Sequence, residues 1–117
     1  MGHKTSHWMW FIFPQLRELG SSPIAKHFGI ASKQEALEYM VHPVLGKRLL
    51  ECVKLLLAQP NSDANDIFGT PDDQKLCSCM TLFALASNEP CFKLALERFF
   101  GGRQDSNTLN LLGNPPT

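Results

Sequence analysis

The chain has 117 residues, of which 44% are hydrophobic and 19% charged, and its 11 Lys and Arg residues balance 11 Asp and Glu residues. This composition predicts one globular domain over residues 1–117 and excludes a disordered chain. The zero net charge argues against nucleic-acid binding, which favours a basic surface, and no apolar run approaches the roughly 18 residues of a membrane span. Because no signal peptide opens the sequence, we expect a cytoplasmic protein whose partners include neither nucleic acid nor membrane.

The four cysteines, Cys52, Cys77, Cys79 and Cys91, are expected to be reduced in that compartment. Cys77 and Cys79 are two residues apart on a predicted helix, and are therefore roughly 200° apart around its axis. Since this spacing cannot chelate one ion, we interpret these thiols as small buried hydrophobic groups and expect no metal site. We also expect no cofactor.

The first predicted element is the aromatic stretch, residues 6–15, which holds both tryptophans of the chain, Trp8 and Trp10. Its six consecutive large apolar residues cannot share one face, so the stretch must be buried. We predict a short helix that starts at the serine of this stretch and ends before its proline. Buried indole N–H groups need partners, and His7 and Gln15 flank the stretch. It is therefore either the rim of an aromatic pocket or a core segment with two satisfied polar neighbours.

Capping residues and prolines mark the helices in the middle of the chain. Residues 22–29 predict a short helix, and Ser32 with Glu35 forms a capping box for the next helix, which should end at His42 because a proline follows. A further helix is predicted to about residue 59, and its apolar spacing gives the strongest amphipathic signal in the chain. The side chains expected to face the core are Ala36, Leu37, Met40 and Val41 in the former helix, and Leu45, Leu49, Cys52, Val53, Leu56 and Leu57 in the latter.

Two elements are predicted after the break at residues 60–63. Residues 64–68 predict a single helical turn that Gly69 closes. Thr70 is the predicted cap of the following helix, which begins with a proline and two aspartates that suit the positive end of the helix dipole. The side chains expected to line its buried face are Leu76, Met80, Phe83 and Ala84.

The last two helices complete the predicted fold. One starts near Pro90 and ends at the paired glycines 101–102, and Asp105 or Ser106 caps a short final helix before a frayed tail at residues 113–117. The side chains expected inside are Cys91, Phe92, Ala95, Leu96 and Phe99, followed by Leu109, Leu111 and Leu112. The pattern predicts an all-α, compact single domain of six or seven short helices.

The sequence resembles the domain-of-unknown-function family 1810, loosely labelled calpastatin-like, over essentially its whole length. The matching stretches are residues 6–15 (SHWMWFIFPQ), 42–49 (HPVLGKRL), 67–76 (IFGTPDDQKL), Ser78, 80–83 (MTLF) and 99–102 (FFGG). The resemblance implies a mainly helical fold and implies no established activity.

Two departures from the family pattern carry expectations of their own. Members of the family usually have another helical segment before the aromatic stretch, and here that N-terminal helix is apparently missing. Its absence would uncover apolar surface, through which we expect self-association. In addition, Cys79 stands where the family usually has a serine, so any role that needs a hydroxyl there is in doubt.

Polar and aromatic residues within the matching stretches supply the candidate site. The candidates for catalysis are His7, His42 and Asp72, and those for ligand binding are Trp8, Trp10, Gln15, Lys75, Ser78 and Thr81. Histidine titrates near neutral pH and a carboxylate can orient it, whereas lysine suits an anionic group of a ligand.

Each of these polar candidates also has a structural interpretation. His42 could meet the carbonyls at a helix C-terminus as a cation. Asp72 and Lys75 could form an i,i+3 pair, and the hydroxyls of Ser78 and Thr81 could bond to carbonyls of their own helix.

Two functions therefore remain open from the sequence. The first is binding or chemistry on a small polar, nucleotide-like ligand in an aromatic, histidine-lined pocket, where a tryptophan would stack on the ligand. The alternative is a non-enzymatic protein-interaction module whose aromatic surface docks a partner helix. The sequence leaves catalysis undecided, since neither Ser78 nor Cys79 lies in a nucleophile-elbow motif.

Overall fold

The computed structural model describes residues 13–16, 19 and 29–113. Over these residues the helices are α1 Lys33–Val41, α2 Leu45–Leu57, α3 Ala64–Phe68, α4 Asp72–Ala86, α5 Pro90–Phe100 and α6 Ser106–Leu111. The same residues contain no strand, and their one β-type pairing is an isolated parallel bridge between Leu16 and Ile30. The predicted all-α domain of short helices is confirmed. The helices predicted over residues 6–13 and 22–29, and the tail after residue 113, lie almost wholly outside the described residues.

The start of α1 follows the predicted capping box. Ser32 Oγ accepts a hydrogen bond of 3.1 Å from the amide of Glu35, and the Glu35 carboxylate accepts one of 3.1 Å from the amide of Ala31. The carboxylate therefore reaches one residue beyond the cap, and two amides that the helix cannot satisfy are paired. The helix ends at Val41, before the proline, as predicted.

The buried face of α1 differs from the prediction. Ala36 is fully buried, whereas Leu37 is 41% and Val41 72% exposed, so the inward assignment of the last two is wrong. The helix instead packs through Ala36, Tyr39 and Met40, because it lies against both α2 and α4. This face still has the i, i+3, i+4 spacing of a helix, but it is rotated from the most apolar stripe.

A close approach of two backbones explains how α1 meets α2. Gly46, in the first turn of α2, is buried, and a Cβ built there would lie 2.0 Å from the carbonyl oxygen of Met40. Only glycine fits at this crossing. The rest of α2 follows its amphipathic pattern, with Leu49, Val53 and Leu56 buried.

Helix α4 is the centre of the domain and packs against α1, α3, α5 and α6. The predicted inward residues Leu76, Met80 and Phe83 are fully buried, but so are Cys79 and Leu82 on other faces. The expectation of a single buried face is therefore wrong, because neighbouring helices surround α4. The predicted cap is also wrong, since α4 starts at Asp72 after Pro71, and the Thr70 hydroxyl instead accepts a 2.7 Å bond from Asn65 Nδ2.

Helices α5 and α6 close the domain on the remaining sides of α4. All five predicted inward residues of α5 are buried, and the Phe92 ring stacks on Phe83 with centroids 5.5 Å apart. Gly101 ends α5 with a left-handed φ of 62°. In α6, Leu109 is buried as predicted, whereas Leu111 is 44% exposed because the helix is only six residues long and one side faces solvent.

Candidate functional site

The end of the aromatic stretch, residues 13–16, is wholly buried in the domain. The carbonyl of Gln15 accepts a 2.8 Å hydrogen bond from the amide of Ile30. The Phe13 ring meets the Phe68 ring edge-on, with centroids 6.4 Å apart and an interplanar angle of 87°. Because Phe68 ends α3, this segment lies against the connection that leads into α4. We call residues 13–16 and 68–75 together the Gln15 junction.

The side chain of Gln15 is the polar feature of this junction. Gln15 is 2% exposed, and its Nε2 is the one buried side-chain nitrogen or oxygen among the described residues without a hydrogen-bond partner. Leaving a buried donor unpaired costs about 1–3 kcal/mol, and nearly all buried polar groups in proteins are paired. The Gln15 side chain is therefore a buried polar group with room for one further hydrogen bond, to an acceptor such as an ordered water or a bound molecule.

Two charged candidates lie on the first turn of α4. Lys75 Nζ is 4.0 Å from Asp72 Oδ1, and the side chains of Lys75 and Asp72 are 24% and 12% exposed. The i,i+3 pair that the sequence suggested is thus formed, and it is largely sheltered from solvent. It places one ammonium and one carboxylate in the α4 part of the Gln15 junction.

The hydroxyls of Ser78 and Thr81 have structural partners. Ser78 Oγ donates to the carbonyl of Gln74 at 3.1 Å, and Thr81 Oγ1 donates to that of Cys77 at 2.8 Å. Thr81 Oγ1 also accepts a 2.9 Å bond from the amide of Asp105, which ties α4 to the start of α6. Both residues thus follow their structural interpretation, and Thr81 has no exposed surface.

His42 has a different role from the one its sequence position suggested. Its ring Nδ1 accepts 3.1 Å hydrogen bonds from the amides of Val44 and Leu45. His42 therefore caps the amides that start α2 and does not meet the carbonyls at the end of α1. Tyr39, one turn earlier, contacts the Phe83 ring at 5.6 Å, which places this end of α1 beside the last turn of α4.

That contact separates His42 from the polar residues at the beginning of α4. Phe83 lies eleven residues after Asp72 along α4, which corresponds to roughly 16 Å along the helix axis. Asp72 and Lys75 lie in the first turn of α4, whereas His42 belongs to the end of α1 that lies beside the last turn of α4. His7, Trp8 and Trp10 lie outside the described residues and stay predictions.

Cys77 and Cys79, the two cysteines of α4, are unsuited to act as nucleophiles. Cys79 is fully buried, and burial raises the pKa of its thiol well above the ordinary value. Cys77 is also buried, and burial followed by the nearby Asp105 carboxylate raises its pKa to about 11. Because the thiolate is the reactive form, both thiols are inert at neutral pH, in agreement with their interpretation as small hydrophobic groups.

Sequence reasoning missed one group of polar residues. A cavity of about 150 Å³ between α4 and the loop from α5 to α6 is lined by Asp73, Cys77, Arg103 and Asp105, among others. The sequence identified Asp105 only as a possible helix cap, and it gave no reason to single out Arg103. No sequence signal joins them, since Arg103 and Asp105 lie about thirty residues after Asp73 and Cys77 along the chain and meet them only through the fold.

Metal and membrane features complete the description of the site. Within the described residues, no group of three or more His, Cys, Asp and Glu side chains is arranged to hold a metal ion. None of the described helices has the length and apolar character needed to cross a membrane.

The fold defines an all-α domain with a central buried helix and polar groups at one end of that helix. The chain belongs to the family DUF1810, described as a protein of unknown function, whose profile matches residues 1–112. It is similar to the conserved hypothetical protein Rv1873 from Mycobacterium tuberculosis, known from a crystal structure at 1.38 Å, with 50% sequence identity and a TM-score of 0.89. That match covers 96% of this chain and 81% of the other. A search of curated proteins gave no match.

Proposed function

We propose that this protein binds a small polar ligand, of nucleotide-like chemistry, at the Gln15 junction. The observation that carries the proposal is the buried, unpartnered Nε2 of Gln15. A folded protein retains such a group when an acceptor meets it in the functional state, because otherwise an apolar residue of the same size would be more stable there.

The charges near the junction indicate what the ligand offers. An amide N–H and the Lys75 ammonium both donate, so they favour a ligand with acceptor oxygens and negative charge. The Asp72 carboxylate, 4.0 Å from Lys75, orients the ammonium and can accept from a hydroxyl of the ligand. A phosphorylated sugar or nucleotide combines these features, and the predicted stacking of Trp8 or Trp10 would add recognition of a planar base.

The proposal is one of binding, and it uses no acid–base chemistry at His42. The ring of His42 already accepts two backbone hydrogen bonds at Nδ1, and its helix end lies beside the far end of α4. His7 stays a predicted partner of the ligand within the aromatic stretch.

A thermal-shift titration tests the proposal. We would titrate nucleotides, ADP-ribose, sugar phosphates and inorganic phosphate into the wild-type protein and into Lys75→Gln and Gln15→Met. A ligand at about 100 times its dissociation constant adds about 2.7 kcal/mol, a shift of several degrees. Lys93→Gln, on an exposed face of α5, is the matched control for loss of a lysine. A shift that survives in both junction variants would contradict the proposal, and so would the absence of any shift.

A second candidate function, a protein-interaction module, is favoured by exposed aliphatic residues around the α1–α2 turn. Leu37, Val41 and Val44 are 41%, 72% and 52% exposed, and the first two lie one helical turn apart. Under this alternative, association measured by light scattering would rise with concentration. It would fall in Val41→Gln but not in Leu55→Gln, a control at an exposed leucine of α2.

A further inference from the structure

The polar cavity between α4 and the loop from α5 to α6 is a built cleft with a fixed loop. The Cys77 thiol donates to the carbonyl of Arg103 at 3.6 Å, and the amide of Asp105 donates to Thr81 Oγ1 at 2.9 Å. The Asp105 carboxylate is held in turn by the amide and hydroxyl of Thr108, at 2.9 and 2.7 Å. These bonds attach the loop backbone to α4, so the cleft exists before any ligand enters.

Charges of both signs line this cleft. Arg103 is the basic residue of the lining, and Asp73 and Asp105 are its acidic residues. All three act on the Cys77 thiol. After burial itself, Asp105 raises the pKa of the thiol, Arg103 lowers it and Asp73 raises it, for a final pKa of about 11. Opposite charges therefore converge on one small volume.

These charged groups do not form ion pairs with one another. Among the described residues the Arg103 guanidinium forms no ion pair with Asp73 or Asp105, since the one ion pair found there joins Lys75 to Asp72. The Asp105 carboxylate accepts both of its hydrogen bonds at Oδ2, which leaves Oδ1 for a further bond. Each oxygen of Asp73 accepts one bond, Oδ1 from the amide of Gln74 at 2.8 Å and Oδ2 from Asn65 Nδ2 at 3.2 Å, and each retains one acceptor position. A guanidinium has five donors in a planar fork, and each carboxylate oxygen accepts two bonds.

We propose that this cleft binds a small zwitterion, a free α-amino acid of the size of glycine, alanine or serine, with its carboxylate on Arg103 and its ammonium on Asp73 and Asp105. A simple anion would meet two carboxylates, and a simple cation would leave the guanidinium unpaired. The cleft has a volume of about 150 Å³ and is partly open to solvent, and this volume accommodates roughly six heavy atoms, the size of a small amino acid. The Cys77 thiol and the Phe100 ring form the apolar part of the lining.

Backbone-amide NMR titrations of the isotope-labelled protein test the proposal. We expect glycine, alanine and serine to shift the amides of Cys77, Gln104 and Ser106 in a saturable way. Acetate and methylamine, which each carry half of the zwitterion, should bind more weakly by on the order of tenfold, which is what one lost charge-assisted contact costs.

Variants locate the interaction and keep the test independent of the fold. Arg103→Gln changes an exposed side chain and should weaken glycine binding about tenfold, while Arg48→Gln, an equally exposed arginine on α2, should leave it unchanged. Asp73→Asn should weaken glycine and methylamine alike, and Gln15→Met should affect neither. Equal binding of glycine and acetate, retention of glycine binding in Arg103→Gln, or no saturable shift would each overturn the proposal.

Discussion

Replacing Gln15 by methionine should make the ligand-free protein more stable, although the residue is buried in the most aromatic part of the chain. Most substitutions of buried residues destabilise, so the sign of the effect is diagnostic. Methionine has nearly the same length and shape as glutamine but lacks the amide, and it adapts to irregular packing. The change removes the unpartnered Nε2 donor, whose burial costs about 1–3 kcal/mol, and leaves the backbone bond from Ile30 to Gln15 intact.

The expected gain in the free energy of unfolding is therefore about 1–2 kcal/mol. It is somewhat below the full cost of the unpaired donor because the methionine thioether does not pack in this site as well as the glutamine side chain does. For a domain of this size, that corresponds to a rise in Tm of roughly 4–8 °C. Urea denaturation followed by circular dichroism gives the free energy of unfolding directly, and an unchanged m-value would show that only stability has moved.

Gln59→Met is the matched control, because Gln59 lies exposed at the end of α2 and the substitution there should change the stability little. A loss of stability in Gln15→Met as large as 1 kcal/mol would refute the reasoning, since it would mean that the amide has a favourable partner. Gain of stability together with loss of ligand response in the thermal-shift titration would mark Gln15 as a residue kept for binding.

Three further predictions concern packing, capping and pH. Gly46→Ala should destabilise the protein by about 1–3 kcal/mol in urea denaturation, because the new Cβ would lie 2.0 Å from the Met40 carbonyl oxygen. Alanine has the higher helix propensity, so an unchanged or higher stability would contradict the close crossing of α1 and α2. His42→Ala should cost about 1 kcal/mol through the lost cap of α2, and His42→Asn, which can accept the same amides, should recover most of it; equal losses in both would rule out the capping role. Burial raises the pKa of Cys77 to about 11, against an ordinary 9.0, so the unfolded chain releases the thiol proton at lower pH than the folded chain. The contribution of the protonated thiol to the free energy of unfolding should therefore be fully present below pH about 9 and be lost as the pH rises toward about 11. Urea midpoints measured across this pH range should fall less in Cys77→Ala than in the wild type, and an identical fall would assign the effect to other groups.

The sequence determined where several of the helices begin or end, because those signals are local. The Ser32–Glu35 capping box, the proline after His42 and Gly101 act through backbone geometry and hydrogen bonds within a few residues, and the structure follows each of them. Amphipathic spacing was sufficient for α5, whose predicted inward residues are all buried, since one side of that helix faces solvent.

The tertiary structure decided which face of a helix is buried and which polar side chains are satisfied. Helix α4 is covered on nearly all sides, so its apolar pattern could not indicate one buried face. Val41 is exposed because α1 packs against α2 and α4 through the face that carries Ala36. Likewise, the unpaired amide of Gln15 depends on what packs around it, and the cleft of Arg103 and Asp73 joins residues thirty positions apart in the sequence. Local chemistry sets secondary structure, whereas burial and charge proximity are properties of the whole packing arrangement and exist only once the helices have met.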